Sequence, residues 1–472
     1  MNQSTFDSVI QGIFSAAFLA SMLRVATPIL LPSLGALISE RAGVINIGLE
    51  GMMLGSAFTG VVLSAYSQQW FGVETGRAIG PWLGMIGGVF VAITMALLLG
   101  FFHLRLKTEL ILSGLAINIL GSSATVAIMF ELTGDRGNTS TLASLSMPFI
   151  QLPQFINQIP IIGGFIYGVF NNQSVMTWIA FLSVPFVAFL LYRTPFGMHL
   201  RASGENPSAA ESVGINVQRT RFAALILSGM FAGLGGIHMS MGYLNLFQRD
   251  MTSGRGFIAL ATPLLGGNNP YGTGIASLIF GFFDALAIRI GSLQIPSQIP
   301  QMVPYIATIM ALVIYALQLQ QTRRVRALRA AQGEGFDAGF WRVIQRLSVL
   351  HVLMTMIAII GIVLAISLFA GPNAFGGVSN AYPIAIVIAV VSIALVAMGV
   401  PFIMQVERIS ARATFSLGVS TISLGVYLSL FLSLFFPAPA AVALGVALGA
   451  AVWFALGGWR LLRGSRPAIA TA

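Results

Sequence analysis

The stretch Arg193-Thr-Pro-Phe-Gly-Met-His-Leu-Arg-Ala-Ser-Gly-Glu-Asn-Pro-Ser-Ala-Ala-Glu-Ser-Val-Gly-Ile-Asn-Val-Gln-Arg-Thr-Arg221 separates two apolar runs, 174–192 and 219–243. Each run is long enough to cross a bilayer as a helix, for which about 20 residues suffice. The polar stretch between them does not read as a linker. Asn206 is placed to cap a helix whose first position is Pro207; Ala209, Ala210 and Glu211 continue it, and Gly214 is placed to end it. A short capped helix held between two spans is a candidate docking element, with Arg201, Glu205 and Glu211 supplying charge for register on a partner. The plain alternative is a surface loop with one or two helical turns.

Outward from this stretch the same alternation continues. Apolar runs lie at 9–38, 46–66, 79–101, 109–131, 272–291, 300–320, 347–370, 381–404, 413–436 and 440–460. The piece 256–267 is too short to span and reads as a half-helix or re-entrant element. The chain has 472 residues, 56% of them hydrophobic and only 8% charged, and its mean hydropathy is +0.88. Soluble domains carry about 25% charged residues, so the class is an all-α polytopic membrane protein, since helices satisfy their own backbone groups in lipid. The N-terminal residues 1–11 contain no basic side chain, so 9–38 reads as a first span with its N-terminus outside rather than as a cleaved signal.

Charge and cysteine content exclude other classes. There is no cysteine, which removes disulfide scaffolds, thiolate metal sites and cysteine nucleophiles. The net charge of +10 would suit nucleic acid only if the cations formed one solvated face. Instead they punctuate apolar runs, so a lipid bilayer and not nucleic acid is the expected partner. With loops 39–45, 102–108, 193–221, 321–346, 405–412 and 460–472 inside, 18 of the 24 Lys and Arg residues are cytoplasmic, as the positive-inside rule requires. That topology makes 256–267 enter from outside and puts the turn Gly266-Gly267-Asn268-Asn269-Pro270 at depth or toward the cytoplasm. The expected localisation is the plasma (inner) membrane.

Ionisable residues within spans mark functional pathways, and they divide the chain. Residues 1–322 form a core of about eight spans plus the short element, 323–346 is a basic linker, and 347–472 is an accessory four-helix unit. Between Leu347 and Val406, and again between Ala413 and Trp459, there is no Asp, Glu, Lys or Arg.

Within the core, two readings are open at each polar position. Asn46 is either a helix cap among packing glycines or part of a pore lining. Glu50, one turn inside a helix start, is either an acid stabilised by the helix dipole or a pathway group. Asp284 is too deep to reach water and needs a donor on another helix, as a structural lock or as a gate. Asn118, Ser122 and Thr125 share one helical face, and together they form a neutral polar stripe suited to an uncharged hydrophilic solute. His238 and His199 read as structural or interfacial. No catalytic or metal site is expected.

Three motifs in order resemble the permease subunits of bacterial ABC importers of the simple-sugar and nucleoside type, related to the branched-chain amino acid permeases. They are the 193–221 segment, which looks like the family's cytoplasmic coupling loop; the string Arg24 to Met53, which contains Ser39-Glu-Arg-Ala-Gly-Val-Ile-Asn46; and Gly254-Arg-Gly-Phe-Ile-Ala-Leu-Ala261 with the 267–272 turn and Phe282-Phe-Asp-Ala-Leu286. The second and third look most like the nucleoside branch. The resemblance implies a type II ABC importer-like bundle; the C-terminal four-helix extension is where this chain departs from the family, whose members usually stop soon after the arginines near 323–329. It implies a second permease, an ABC ATPase and an extracytoplasmic substrate-binding protein as partners, with ATP and magnesium held on the ATPase. By this resemblance Arg201, Glu205, Asn206, Pro207, Ala210, Glu211 and Gly214 are coupling-loop residues.

The energy source follows from what the chain lacks. A P-loop requires lysine after glycine, and the single lysine, Lys107, follows Leu106. No HExxH or GxSxG pattern supports an intramembrane enzyme. The alternative transport reading is an ion-coupled secondary transporter with Glu50 and Asp284 as coupling groups and 256–267 as a broken helix.

Overall fold

A computed structural model of the chain describes residues 16–158 and 163–291. The expected spans 300–320, 347–370, 381–404, 413–436 and 440–460, the basic linker and the accessory unit lie outside the described residues. Among the described residues seven helices are long and apolar enough to cross a membrane. They are α1 (Ala16–Arg41), α2 (Leu49–Phe71), α3 (Val73–Gly100, prolonged by a π turn over Phe101–Arg105), α4 (Leu110–Thr133), α6 (Val175–Arg193), α9 (Val217–Ile237, prolonged by a π turn over His238–Tyr243) and α11 (Pro270–Gly291). The shorter helices are α5 (Gly163–Phe170), α7 (Pro195–Glu205), α8 (Pro207–Ser212) and α10 (Arg255–Leu265). A two-residue antiparallel pair, β1 (Phe149–Ile150) with β2 (Gln173–Ser174), closes the long connection between α4 and α6.

Small residues set the packing of the inner helices. A side chain at Gly84 would collide with the Gly60 carbonyl across the α2–α3 contact, one at Gly60 would strike Ile237 of α9, and one at Gly236 would strike the Met53 carbonyl. Lipid offers no hydrophobic force to draw helices together, so close backbone approach and interhelical hydrogen bonds do so. Ser56 Oγ donates to the Gly233 carbonyl at 2.7 Å, joining α2 to α9. α1 packs on α6, α9, α10 and α11 and is the most enclosed helix with α2.

α1 carries Pro28 and Pro32 in its interior. Proline has no N–H, so Pro28 frees the carbonyl of Arg24. His238 Nε2 donates to that carbonyl at 2.9 Å, which fixes the imidazole tautomer and ties the π turn of α9 to α1. The Arg24 side chain reaches the other way, to Gln173 Oε1 at 3.0 Å and the Asn172 carbonyl at 3.1 Å.

The loops expected inside gather at one end. Arg221 donates to the Ala42 and Ser203 carbonyls at 3.3 and 3.5 Å, and Gln218 Nε2 donates to the Leu104 carbonyl at 3.2 Å. Asn268 donates to Glu40 Oε1 at 3.1 Å. The 266–270 turn therefore lies at the same end as the loops expected inside. At the opposite end Thr139 and Phe247 exchange backbone and hydroxyl bonds, and Phe247 packs edge-on against Phe58 at 5.3 Å. The segment 244–265 thus crosses the bundle as an irregular outer half followed by the helical inner half α10. The short apolar element of the sequence is that inner half.

Candidate functional site

Two places gather the polar residues singled out in the sequence, one within the bundle and one at the end where the loops expected inside meet. The first arises because α1 and α2 are joined by a chain that turns back into the bundle. Gly43 takes a left-handed φ of +79°, where glycine bears no steric penalty. Val44 and Asn46 are then buried, and helix resumes only at Leu49. The sequence suggested a loop over 39–45 and a helix from 46; the structure ends the turn at Gly43, buries Val44 and Asn46, and starts the helix at Leu49. Asn46 Nδ2 donates to Ser228 Oγ at 2.9 Å. Ser228 stands about 16 Å along α9 from its cytoplasmic start at Val217, at 1.5 Å per residue. Asn46 Oδ1 accepts from the Gly48 amide at 3.1 Å, so the side chain serves as a local brace.

Asn118 of α4 is equally engaged. Its Nδ2 donates to the Ile47 carbonyl and its Oδ1 accepts from the Gly51 amide, each at 2.8 Å. Gly51 and Gly121 permit that approach, because a side chain at either would enter the other helix's backbone. Thr125 is buried with its hydroxyl donated to the Gly121 carbonyl at 2.8 Å. Ser122 is half-buried and donates to Asp250 Oδ1 at 2.9 Å. The stripe on α4 therefore divides: Thr125 turns inward, whereas Asn118 and Ser122 keep partial exposure.

Glu50 and Asp284 converge on the start of α10. The Glu50 carboxylate accepts from Thr252 Oγ1 at 2.6 Å, the Gly254 amide at 2.7 Å and the Gly256 amide at 2.6 Å. It thereby satisfies amides that a helix start leaves without intrahelical partners, and its charge sits at the positive end of the α10 dipole. Gly254, with φ +77°, makes the turn that brings these amides together. Asp284 of α11 receives two hydrogen bonds from Arg255, Nε at 3.0 Å and Nη2 at 2.7 Å, in a pair whose side chains are 19% and 10% exposed. The donor that Asp284 needed is thus on another helix. Sequence reasoning missed Arg255 and Thr252 as partners. The available signal was an arginine opening a short apolar helix, which has no route to water along its own element.

At the end expected inside, Asn206 accepts from the Ala209 amide at 3.1 Å, Pro207 occupies the first turn of α8, and Ala210 is buried. Gly214 has φ +85° with open space around it, and its amide bonds back to the Glu211 carbonyl. Glu205 and Glu211 are exposed beside Val213, which is 74% exposed. Arg201 stacks its guanidinium over Tyr192 at 5.3 Å. The preceding helix α7 was not anticipated, although Thr194 capping Gly197 and Pro195 in its first turn repeat the Asn206-Pro207 signal.

Residues 18–317 match a family model described as the branched-chain amino acid transport system permease component. The guanosine ABC transporter permease protein NupQ of Bacillus subtilis is 37% identical over 296 residues, 61% of this chain and 88% of its own length. The nucleoside ABC transporter permease protein NupC of Lactococcus lactis is 32% identical over 302 residues, covering 63% of this chain and 91% of that protein. The glucose ABC transporter permease protein TsgB13 of Haloferax volcanii is 26% identical over 339 residues, 70% and 83% of the two chains. No solved structure matches.

Proposed function

This chain belongs to the family of branched-chain amino acid transport system permease components, and we propose that it moves a nucleoside or simple sugar inward as the membrane subunit of an ATP-driven importer. It is a multi-pass plasma membrane protein and a transporter subunit rather than an enzyme. Similarity to permeases named for nucleosides and guanosine supports the solute class, since nucleosides and sugars are the uncharged hydrophilic solutes that neutral groups such as Ser122 suit.

The observation that carries the mechanism is the capped helix α8 beside exposed Glu205, Glu211 and Val213, at the same end as the basic loops. A separate ATPase binds ATP and magnesium and hydrolyses the ATP, and α7 and α8 dock into its surface. A second permease chain completes the pathway, and an extracytoplasmic binding protein delivers the solute. Asn46, Glu50, Asn118, Ser122, Thr125 and Asp284 build and border the pathway; their hydrogen bonding supports a part for Asn46, Asn118, Glu50 and Asp284 in holding its wall in shape. Residues 347–472 are an accessory membrane unit, joined through 323–346, that transport does not require.

Ion coupling through Glu50 and Asp284 is the weaker reading. Arg255 already neutralises Asp284, and three donors already fill the Glu50 carboxylate. Docking is tested with Glu211→Lys and Gly214→Val in the reconstituted complex. Both should lower ATPase affinity and the hydrolysis stimulated by loaded binding protein. Unaltered stimulation in both variants would remove α8 from the docking role.

A further inference from the structure

The two ends of α10 are held by different parts of the protein, and we propose that α10 is the rod through which movement of α7 and α8 reaches the mid-depth junction, with Glu40, Arg41 and Asn268 as its positioning residues. The inference rests on the importer reading above, which supplies the partner that moves α7 and α8.

At its cytoplasmic end α10 stops at Leu265 and the chain turns through Gly266, Gly267 and Asn268. Arg41 Nε donates to the Asn268 carbonyl at 3.0 Å, and Arg41 Nη2 donates to the same oxygen. The Asn268 side chain donates to Glu40 at 3.1 Å. The backbone of Arg41 faces the other way: its carbonyl lies against Gly204 of α7 so closely that any side chain at 204 would collide with it. Arg221 ties Ala42 to Ser203 across the same contact. Residues 40–43 are thus wedged between α7 and the turn that ends α10, and displacement of α7 bears on that turn directly.

The other end of α10, about 15 Å away at 1.5 Å per residue, carries the Gly254 and Gly256 amides and Arg255. These hold Glu50 of α2 and Asp284 of α11. A shift of the rod along its axis therefore pulls on two other helices at the depth where Asn118 and Ser122 are partly exposed.

Both ends of α10 are tight glycine turns: Gly254 and Gly267 have φ of +77° and +66°, and Gly266 packs backbone to backbone on Gly272. A helix gripped at both ends moves as a unit between two arrangements. The Asn268 Oδ1 atom is buried and has no hydrogen-bond partner. An unpaired buried acceptor is costly, so this contact has a bond left to gain in a second arrangement of the turn.

The test uses the full-length chain reconstituted with its second permease chain, the ATPase and the binding protein. Asn268→Gly keeps the left-handed backbone of the turn, where Asn268 has φ +52°, and removes only the amide bridge to Glu40. Arg41→Gln weakens the grip on the Asn268 carbonyl, and Arg41→Lys keeps a cationic donor. In the glycine and glutamine variants, stimulated ATP hydrolysis and complex assembly should be unchanged while solute uptake per ATP falls about tenfold, with partial recovery in Arg41→Lys. Uptake per ATP within about twofold of the unaltered protein, or hydrolysis and uptake falling in step, would overturn the rod assignment. Failure of the unaltered complex to import on ATP would instead sink the importer reading, so the two failures are told apart.

Discussion

Asp284 and Arg255 show how a charge is tolerated inside a bundle with almost none to spare. Removing one partner leaves the other unpaired at low exposure, which costs about 3–5 kcal/mol, whereas replacing both with apolar residues of similar volume costs far less. We therefore expect Asp284→Leu and Arg255→Met each to lower the thermal stability of the purified protein sharply. The double variant should be more stable than either. Additive losses in that cycle would show that the pair does not act as a unit. The need of Asp284 for a donor was legible from its place in an apolar run. The donor's identity was not, because 29 positions separate the two and only the turn at Gly254 brings them together. Glu50 is a sharper case. Its dipole-stabilised position was read against the helix that contains it, yet the helix start it serves belongs to α10, some 200 positions later.

At the scale of elements, hydropathy located the seven described spans because each of those apolar runs coincides with a helix that must satisfy its backbone within lipid. The ends fared less well. α3 starts at Val73 rather than 79 and α2 at Leu49 rather than 46, since Glu74 and Arg77 look loop-like while Ile45 and Ile47 look helical. Such residues follow the surroundings supplied by other helices. The π turn at His238 was likewise hidden, although Pro28 gives it a reason. A carbonyl freed by proline recruits a donor from the neighbouring helix. His238→Ala should cost about 1–3 kcal/mol by leaving the Arg24 carbonyl bare. Adding Pro28→Ala should restore part of that loss, because residue 28 then supplies the missing N–H. A melting temperature for the double variant below that of His238→Ala would refute this account of the bond.

For the molecule as a whole, the basic loops marked the segments expected inside, and the structure brings 40–43, 102–105, 193–221 and 266–270 together at one end of the bundle. What the sequence could not convey is that α10 links that end to the mid-depth junction, a relation built from contacts between distant segments. The division at 346 makes its own prediction. A chain truncated after Arg346 should retain most uptake at equal membrane abundance, and loss of transport at normal abundance would make 347–472 part of the transport machinery. The central claim is the energy source and the class of solute. It is tested most directly by measuring radiolabelled nucleoside and sugar uptake into proteoliposomes holding this chain, its companion permease and the ATPase, with binding protein supplied on the receptor side. The account predicts accumulation that requires ATP and the ATPase and is indifferent to an uncoupler. Uptake that continues without the ATPase and collapses with the uncoupler would contradict it.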